Sequence, residues 1–176
     1  MNNEKTKLKN TEVRLISELL KNNKRSDRQL AKALNVSQPT VTRIMGKLER
    51  EGLIKERTII PDFRKLGIEL IAFIFGVWSP SEIAKYSQAE RLEKAQRFLS
   101  KRPNVIFASS GRGLGMERMM ISLHKDYSDY NEFMRQARVE WAGLVKLETF
   151  VISLEVDAMP RLFSLRDLGE YIEKIA

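Results

Sequence analysis

The stretch SQPTVTRIMGKLEREGLI, residues 37 to 54, gathers the side chains best suited to reading the edge of another molecule. Helical spacing turns Val41, Ile44, Met45 and Leu48 inward, which leaves Gln38, Pro39, Thr42, Arg43, Gly46 and Lys47 on the opposite face with Thr40 at its edge. These types suit the major groove of duplex DNA. Arg43 can donate a bidentate pair to guanine, Gln38 can pair with adenine, and Thr40, Thr42 and Pro39 can offer hydroxyl or apolar contact to thymine methyls. Gly46 leaves room for close backbone approach, and Ser37 joins the set at the helix start. Lys47, with Lys24, Arg25, Lys55 and Arg57 outside the helix, is assigned to phosphates, contacts that fix register without reading sequence. An ordinary solvated helix face would carry more glutamate.

Other chemistries lack their side chains. The chain has no cysteine, which excludes disulfides, thiolate metal sites and cysteine nucleophiles, and its one histidine excludes a histidine-rich metal centre. No metal or cofactor is expected. His124, beside Lys125, reads as a surface or strand-end residue without companion ligands. The glycines of SSGRGLGMER suggest a phosphate cradle, but no GK[ST] follows and the context is a hairpin. Gly111, Gly113 and Gly115 are therefore read as turn residues that supply positive φ. No nucleophile, general base and orienter stand together, so an enzyme is not expected.

Elements must position the reading face. TEVRLISELLKNN repeats Val13, Ile16, Leu19 and Leu20 at helical spacing behind a Thr11 cap. Ser26 caps a short second helix, with Asp27 placed well against its dipole and Leu30, Ala31 and Leu34 as its buried stripe. Asn35 and Val36 make a tight connection. Ser37 then caps the third helix, Pro39 takes a first-turn position whose amide has no intrahelical partner, and Gly52 stops it. Two short helices with a tight turn form a helix-turn-helix, and LIKERTII after Gly52 reads as a basic strand-turn wing.

The second half follows another pattern. IELIAFIFGVW is apolar on both alternating sets, Leu70/Ala72/Ile74 and Ile71/Phe73/Phe75, so both faces of a strand should be buried while a helix can cover only one. Leu92, Ala95 and Leu99 mark a helix ending near Pro103. NVIFASS and MERMMISLH follow as strands, then a helix with Tyr127, Tyr130, Met134, Ala137 and Trp141. ETFVISLEV closes the sheet with Phe150, Ile152, Leu154 and Val156 on one side. Trp78 and Trp141 read as packing anchors. The order βαββαβ fits a ferredoxin-like sandwich, and the uncovered face of its first strand calls for a second copy of the chain. The tail PRLFSLRDLGEYIEKIA sets Leu165, Leu168, Tyr171, Ile172 and Ile175 at helical spacing behind Ser164. It could cover exposed sheet, extend a dimer contact or dock on a neighbour.

Residues 11 to 157, through RQLAKALNVSQPTVTRIMGKLEREGLI, then PDFRKLG and an apolar strand, resemble the Lrp/AsnC transcription regulators. The resemblance implies an N-terminal winged helix joined by a short strand to a ferredoxin-like (RAM-type) sensor domain, association as a dimer or higher homo-oligomer, and a small-molecule pocket between subunits near the glycine hairpin, where an amino acid is commonly bound. Ser110 and Gly111 match that site. Arg112 stands where the family often has an acidic residue, and Glu117 is the nearest carboxylate, so an anionic ligand at Arg112 or no ligand is expected in place of a standard amino acid.

The expected fold is α+β: a winged helix-turn-helix domain over 1–57, a linker strand over 58–67, a βαββαβ ferredoxin-like domain over 68–157 and a helical extension over 158–176. Charge divides the same way. Residues 1–65 hold 16 Lys and Arg against 8 Asp and Glu, residues 66–176 hold 15 of each, and the whole chain carries +8. A basic head on a neutral body suggests a polyanion partner for the head. No window approaches the ~20 apolar residues of a membrane span, and the first ten residues lack the apolar core of a secretory signal. The sequence therefore points to a cytoplasmic, nucleoid-associated protein with no membrane partner. Three classes stand: a sequence-specific dimeric DNA-binding regulator open to small-molecule control, an architectural DNA-coating protein of low specificity, and a ligand-binding enzyme or sensor on the ferredoxin-like half.

Overall fold

A computed structural model describes residues 8–155 and 164–175. Its elements run α1 (Asn10–Lys21), α2 (Asp27–Leu34), α3 (Gln38–Arg50), β1 (Leu70–Trp78), α4 (Pro80–Ile83) and α5 (Gln88–Ser100). They continue through β2 (Val105–Gly113), β3 (Met116–His124), α6 (Tyr127–Glu140), β4 (Val145–Ser153) and α7 (Leu168–Ile175). The chain divides into two compact units, one of residues 1–60 with 160–176 and one of residues 61–159. Among the described residues no helix is long and apolar enough to cross a membrane.

The first unit is built on well-capped helices. At α2, Ser26 Oγ accepts from the Gln29 amide while Gln29 Oε1 accepts from the Ser26 amide, a reciprocal capping box. Asn35 ends α2 in the left-handed region at φ 54°, and the Val36 amide bonds back to the Ala31 carbonyl, which makes the connection to α3 as tight as the spacing suggests. Gly52 does the same after α3, at φ 70°, with the Leu53 amide on the Leu48 carbonyl. The core joins Leu15, Leu30, Ala31, Leu34, Val41, Ile44, Met45 and Leu48.

Three expectations for this unit change. Thr11 is not a cap: α1 begins at Asn10, and the preceding Lys9 amide donates to Glu12 Oε2. The basic wing is not a strand, and neither is the linker over 58–67: no strand is assigned from 53 to 69, and Arg64–Leu66 is a short 3-10 turn. The cause is local. Leu53 and Ile54 both fold their amides onto the Leu48 carbonyl, Ile54 packs on the helical core, and the described segment beyond has no second strand to pair with. The tail takes none of the three courses expected for it: α7 docks on α1 of its own chain. A Cβ at Gly169 would lie 2.8 Å from the Ser17 carbonyl, and Ser17 is fully buried under it. Lys21 Nζ pairs with Glu173 at 3.3 Å along the same seam.

The second unit is a four-stranded antiparallel sheet in the order β2-β3-β1-β4. Leu70, Ala72 and Ile74 of β1 bury against Phe98 of α5 and Tyr130, Phe133, Met134 and Ala137 of α6. Trp78 and Trp141 meet edge to face at 5.8 Å, as packing anchors do. On β4 Phe150 and Ile152 share one side, as the spacing predicts, and that side faces away from the helices, while Leu147 and Val151 pack on the helix-covered core. Leu154 is buried just past the end of β4, and Val156 lies outside the described residues. Register aligns Ile71 with Leu123 and Ile152, and Phe73 with Ile121 and Phe150, so one apolar row crosses the sheet with no helix over it. Phe150 is 62% exposed there.

The glycine hairpin turns on Leu114 at φ 53° and Gly115 at φ 70°, whereas Gly111 and Gly113 lie within β2 without positive φ. His124 ends β3, but it is a core residue and not a surface one, at 1% exposure. Its ring packs on Tyr130 and Phe133, Nδ1 meets Asp129 Oδ2 at 3.2 Å and Nε2 meets Ser122 Oγ at 2.8 Å. A neutral ring fits both partners, with Nδ1–H donating and Nε2 accepting from the hydroxyl.

Two outcomes follow. Gly169→Val should force α7 off Ser17 and lower unfolding stability by ~1–3 kcal/mol, read by denaturant titration, with hydrogen exchange at α1 amides rising. Burial, opposed by Asp129, holds the His124 pKa below its usual 6.5. The unfolded chain thus binds the proton more readily, and His124 costs stability as pH falls below 6.5 and nothing above it. Thermal melts of His124→Gln should show a shallower loss between neutral pH and pH 5 than the parent.

Candidate nucleic-acid interface

Burying Val41, Ile44, Met45 and Leu48 fixes the outward face of α3. Gln38, Pro39, Thr42, Arg43 and Arg50 are exposed, with Thr40, Gly46 and Lys47 half-buried. No carboxylate stands on α3 before Glu49. The cap uses part of the predicted set for local order: Ser37 Oγ accepts from the Thr40 amide and lies 2.8 Å from Thr40 Oγ1. Thr42 Oγ1 donates to Asp27 Oδ2 at 2.8 Å, a tie between α2 and α3 that leaves its methyl outward-facing chemistry but commits its hydroxyl.

The cations separate into held and free. Lys47 Nζ sits 2.7 Å from Glu12 Oε1, and that carboxylate is 4% exposed and also accepts the Lys9 amide. The Lys47 bond, then the Lys9 amide, hold the Glu12 carboxyl below its ordinary 4.5, and the same bond raises the Lys47 ammonium. Lys47 therefore locks α3 onto α1. Arg25 pairs with Glu18, and Arg57 with Glu49 at 2.6 Å. Lys24, Arg43 and Lys55 are exposed and have no ion pair among the described residues.

Three further free cations join them, Arg28 and Lys32 on α2 and Arg50 on α3, all exposed and without an ion pair among the described residues. Arg28 and Lys32 stand four apart on one side of α2, a spacing readable in the sequence. Arg50 Nη1 lies 3.4 Å from where a Gly46 Cβ would be, so Arg43 and Arg50 flank the glycine on the outward face. The wing residues Lys55 and Arg57 ride on an exposed segment that Asn23 Nδ2 tethers through the Thr58 carbonyl at 3.1 Å.

Ser110, Gly111 and Arg112 follow one another near the end of β2. Ser110 pairs in register with Arg118 and lines a cavity between α5 and the sheet, while Gly111 and Arg112 are exposed near a register shift of β2 and do not line it.

A compact three-helix core that presents a capped, carboxylate-poor third helix beside free arginines and lysines defines a helix-turn-helix protein. The family model described as "Winged helix-turn-helix DNA-binding" matches residues 8–55. An uncharacterized HTH-type transcriptional regulator of Pyrococcus abyssi is 33% identical over 88 residues, 49% of this chain and 60% of that one. The HTH-type transcriptional regulator LrpC of Bacillus subtilis is 34% identical over 68 residues, 39% of this chain and 47% of its own, so the chain spans about half the length of these relatives. The solved structure of LrpC shares the fold at TM-score 0.68 and 24% identity, over 87% of this chain and 99% of that chain. A regulator from Neisseria meningitidis, solved as an L-Met complex, aligns at TM-score 0.70 and 16% identity, over 88% of this chain and 96% of that one. Residues 8–55 thus carry a winged helix-turn-helix DNA-binding domain, and the chain shares the fold of solved Lrp/AsnC-type regulators.

The Glu12–Lys47 pair makes a checkable claim. Either Glu12→Gln or Lys47→Met should lower the melting temperature of the head at pH 7, and the double variant should recover part of the loss, because each single change leaves the other partner without its bond. The Glu12 contribution is present above pH 4.5 and lost as pH falls through its lowered folded pKa, so Glu12→Gln should melt with less acid sensitivity than the parent.

Proposed function

We propose that the chain binds palindromic sites in duplex DNA, sequence-specifically, as a homodimer or larger homo-oligomer, and that a small molecule modulates this binding. It acts on the nucleoid in the cytoplasm. The observation that carries the reading is the outward face of α3, where Gln38 and Arg43 are exposed, Arg43 and Arg50 have no ion pair among the described residues, and no carboxylate precedes Glu49 on the helix. Arg43 and Gln38 read base edges, the Thr40 and Thr42 methyls and Pro39 contact thymine, and Lys24, Arg28, Lys32, Arg50 and Lys55 meet phosphates. Ser37 and Lys47 contribute by holding the helix, as do Arg25 and Arg57 in their ion pairs.

The second copy docks through the uncovered sheet face. Ile71, Phe73, Ile121, Phe150 and Ile152 form one apolar row, and a matching row from another chain buries it by two-fold symmetry. Two heads on one symmetric body set their third helices about one turn of DNA, ~34 Å, apart. Ligand control draws its support from the L-Met complex of the Neisseria neighbour and from the cavity lined by Ser110.

Selection of bound fragments from random DNA should return a two-fold symmetric motif, with specific affinity at least ~10³ above random sequence. A ratio near unity would make the protein an architectural coat and overturn the specific reading. Arg43→Ala should cost ~1–3 kcal/mol at one base position of each half-site and relax preference there. Light scattering should find a dimer or larger, and Phe150→Glu with Phe73→Glu should shift it toward monomer.

A further inference from the structure

Helix α5 stands off the sheet it covers. Phe98 is its only fully buried side chain, and Leu92 stays 57% exposed. Small residues face each other across the gap, Ala95 from α5 and Gly76, Ala108 and Ser110 from the sheet. They leave a cavity of about 250 Å³ whose apolar wall includes Ile74, Leu99 and Met120 and whose lining reaches Trp78 and Arg118. A cavity of ~150 Å³ already admits benzene.

Charge collects beside the Trp78 indole. The guanidiniums of Arg118 and Arg91 lie 5.0 and 5.8 Å from its ring centroid, and neither makes an ion pair among the described residues. Arg91 Nε, Arg118 Nε and Trp78 Nε1 are all shielded from solvent without a hydrogen-bond acceptor, and Trp78 is 4% exposed. Burial, then the neighbouring charge of Arg91, push the Arg118 guanidinium below its usual pKa. Arg118 and Trp78, which both line the cavity, offer it a cation and two unanswered N–H donors complementary to an anionic group with several lone pairs, and Arg91, outside the lining, adds a second positive charge beside the indole.

We propose that this cavity binds a small apolar organic acid, with its carboxylate held by Arg118 and the Trp78 N–H in the field of the neighbouring Arg91 charge and its hydrocarbon body against Ile74, Leu99 and Met120. No Asp or Glu lines the cavity among the described residues, so an α-ammonium finds no counter-charge and an acid without an amino group is the better fit. This anion site, at Arg118 on β3, is separate from the one expected at Arg112 on β2. The proposal deepens the ligand-control reading and rests on it only for the effect on DNA, since acid binding belongs to this unit and is measured with no DNA present.

The test titrates the full chain with phenylacetate, phenylacetamide, L-phenylalanine and sulfate by calorimetry and tryptophan fluorescence. Phenylacetate should saturate one site per chain, and the amide, the amino acid and sulfate should each bind at least ~10-fold more weakly. Arg118→Met should weaken phenylacetate by ~10-fold or more, and Ala95→Leu, which fills the cavity and keeps both arginines, should do the same. Should Arg118→Met fail to fold, Arg91→Met on the more exposed helix carries the same expectation. No phenylacetate binding up to ~10 mM, amide binding as tight as acid binding, or sulfate binding as tight as phenylacetate would overturn the proposal. A protein that binds the acid yet ignores DNA would sink the regulator reading and leave this site standing.

Discussion

The inward seam of α3 is the constraint on which the rest of the head depends. Val41, Ile44, Met45 and Leu48 meet Leu15, Leu30 and Leu34, and once they are buried no freedom remains in which side chains face out. Short helices hold little by propensity alone, so the geometry depends on their ends and on tertiary packing. Ser26, Ser37, Asn35 and Gly52 supply those ends, and the Thr42–Asp27 and Lys47–Glu12 bonds add two ties that fix α3 against α2 and α1. The cations divide accordingly. Those tied to carboxylates build the head, and those left over, Arg43 and Arg50 on α3 among them, are available to a polyanion.

The sheet poses the opposite problem, two apolar faces and helices for one. On the covered side α6 packs closely through Tyr130, Phe133, Met134 and Ala137, while α5 commits only Phe98 and leaves a cavity over small residues. On the other side Phe73 and Phe150 stay in a row without cover. An imperfectly filled layer and an uncovered one have different remedies. A cavity of molecular size beside unpaired arginines suits a small anion, and a flat apolar row suits another copy of the same surface.

Much of this was legible before any coordinates. Helix caps at Ser26 and Ser37, the inward stripe of α3 and the βαββαβ order depend on local chemistry and spacing, which a sequence displays directly. What failed depended on partners distant in the chain. Residues 53–60 carry strand-forming types but meet no strand, Leu15 and Ser17 are buried because α1 is packed on more than one side, and Lys47 is taken by Glu12, 35 residues away. His124 looked isolated because Ser122, Asp129, Tyr130 and Phe133 surround it only after β3 and α6 pack. Arg118 was hidden for a similar reason, since its relation to Trp78 and Arg91 crosses three elements.

Methylation interference on a bound duplex addresses the central claim directly, because a methyl at guanine N7 blocks the major-groove edge that Arg43 is held to read. The account predicts interference at guanines in two clusters about one helical turn apart, ~34 Å, related by two-fold symmetry. Binding that is indifferent to N7 methylation throughout the site, or a protein that ignores duplex DNA even in dilute salt, would contradict it.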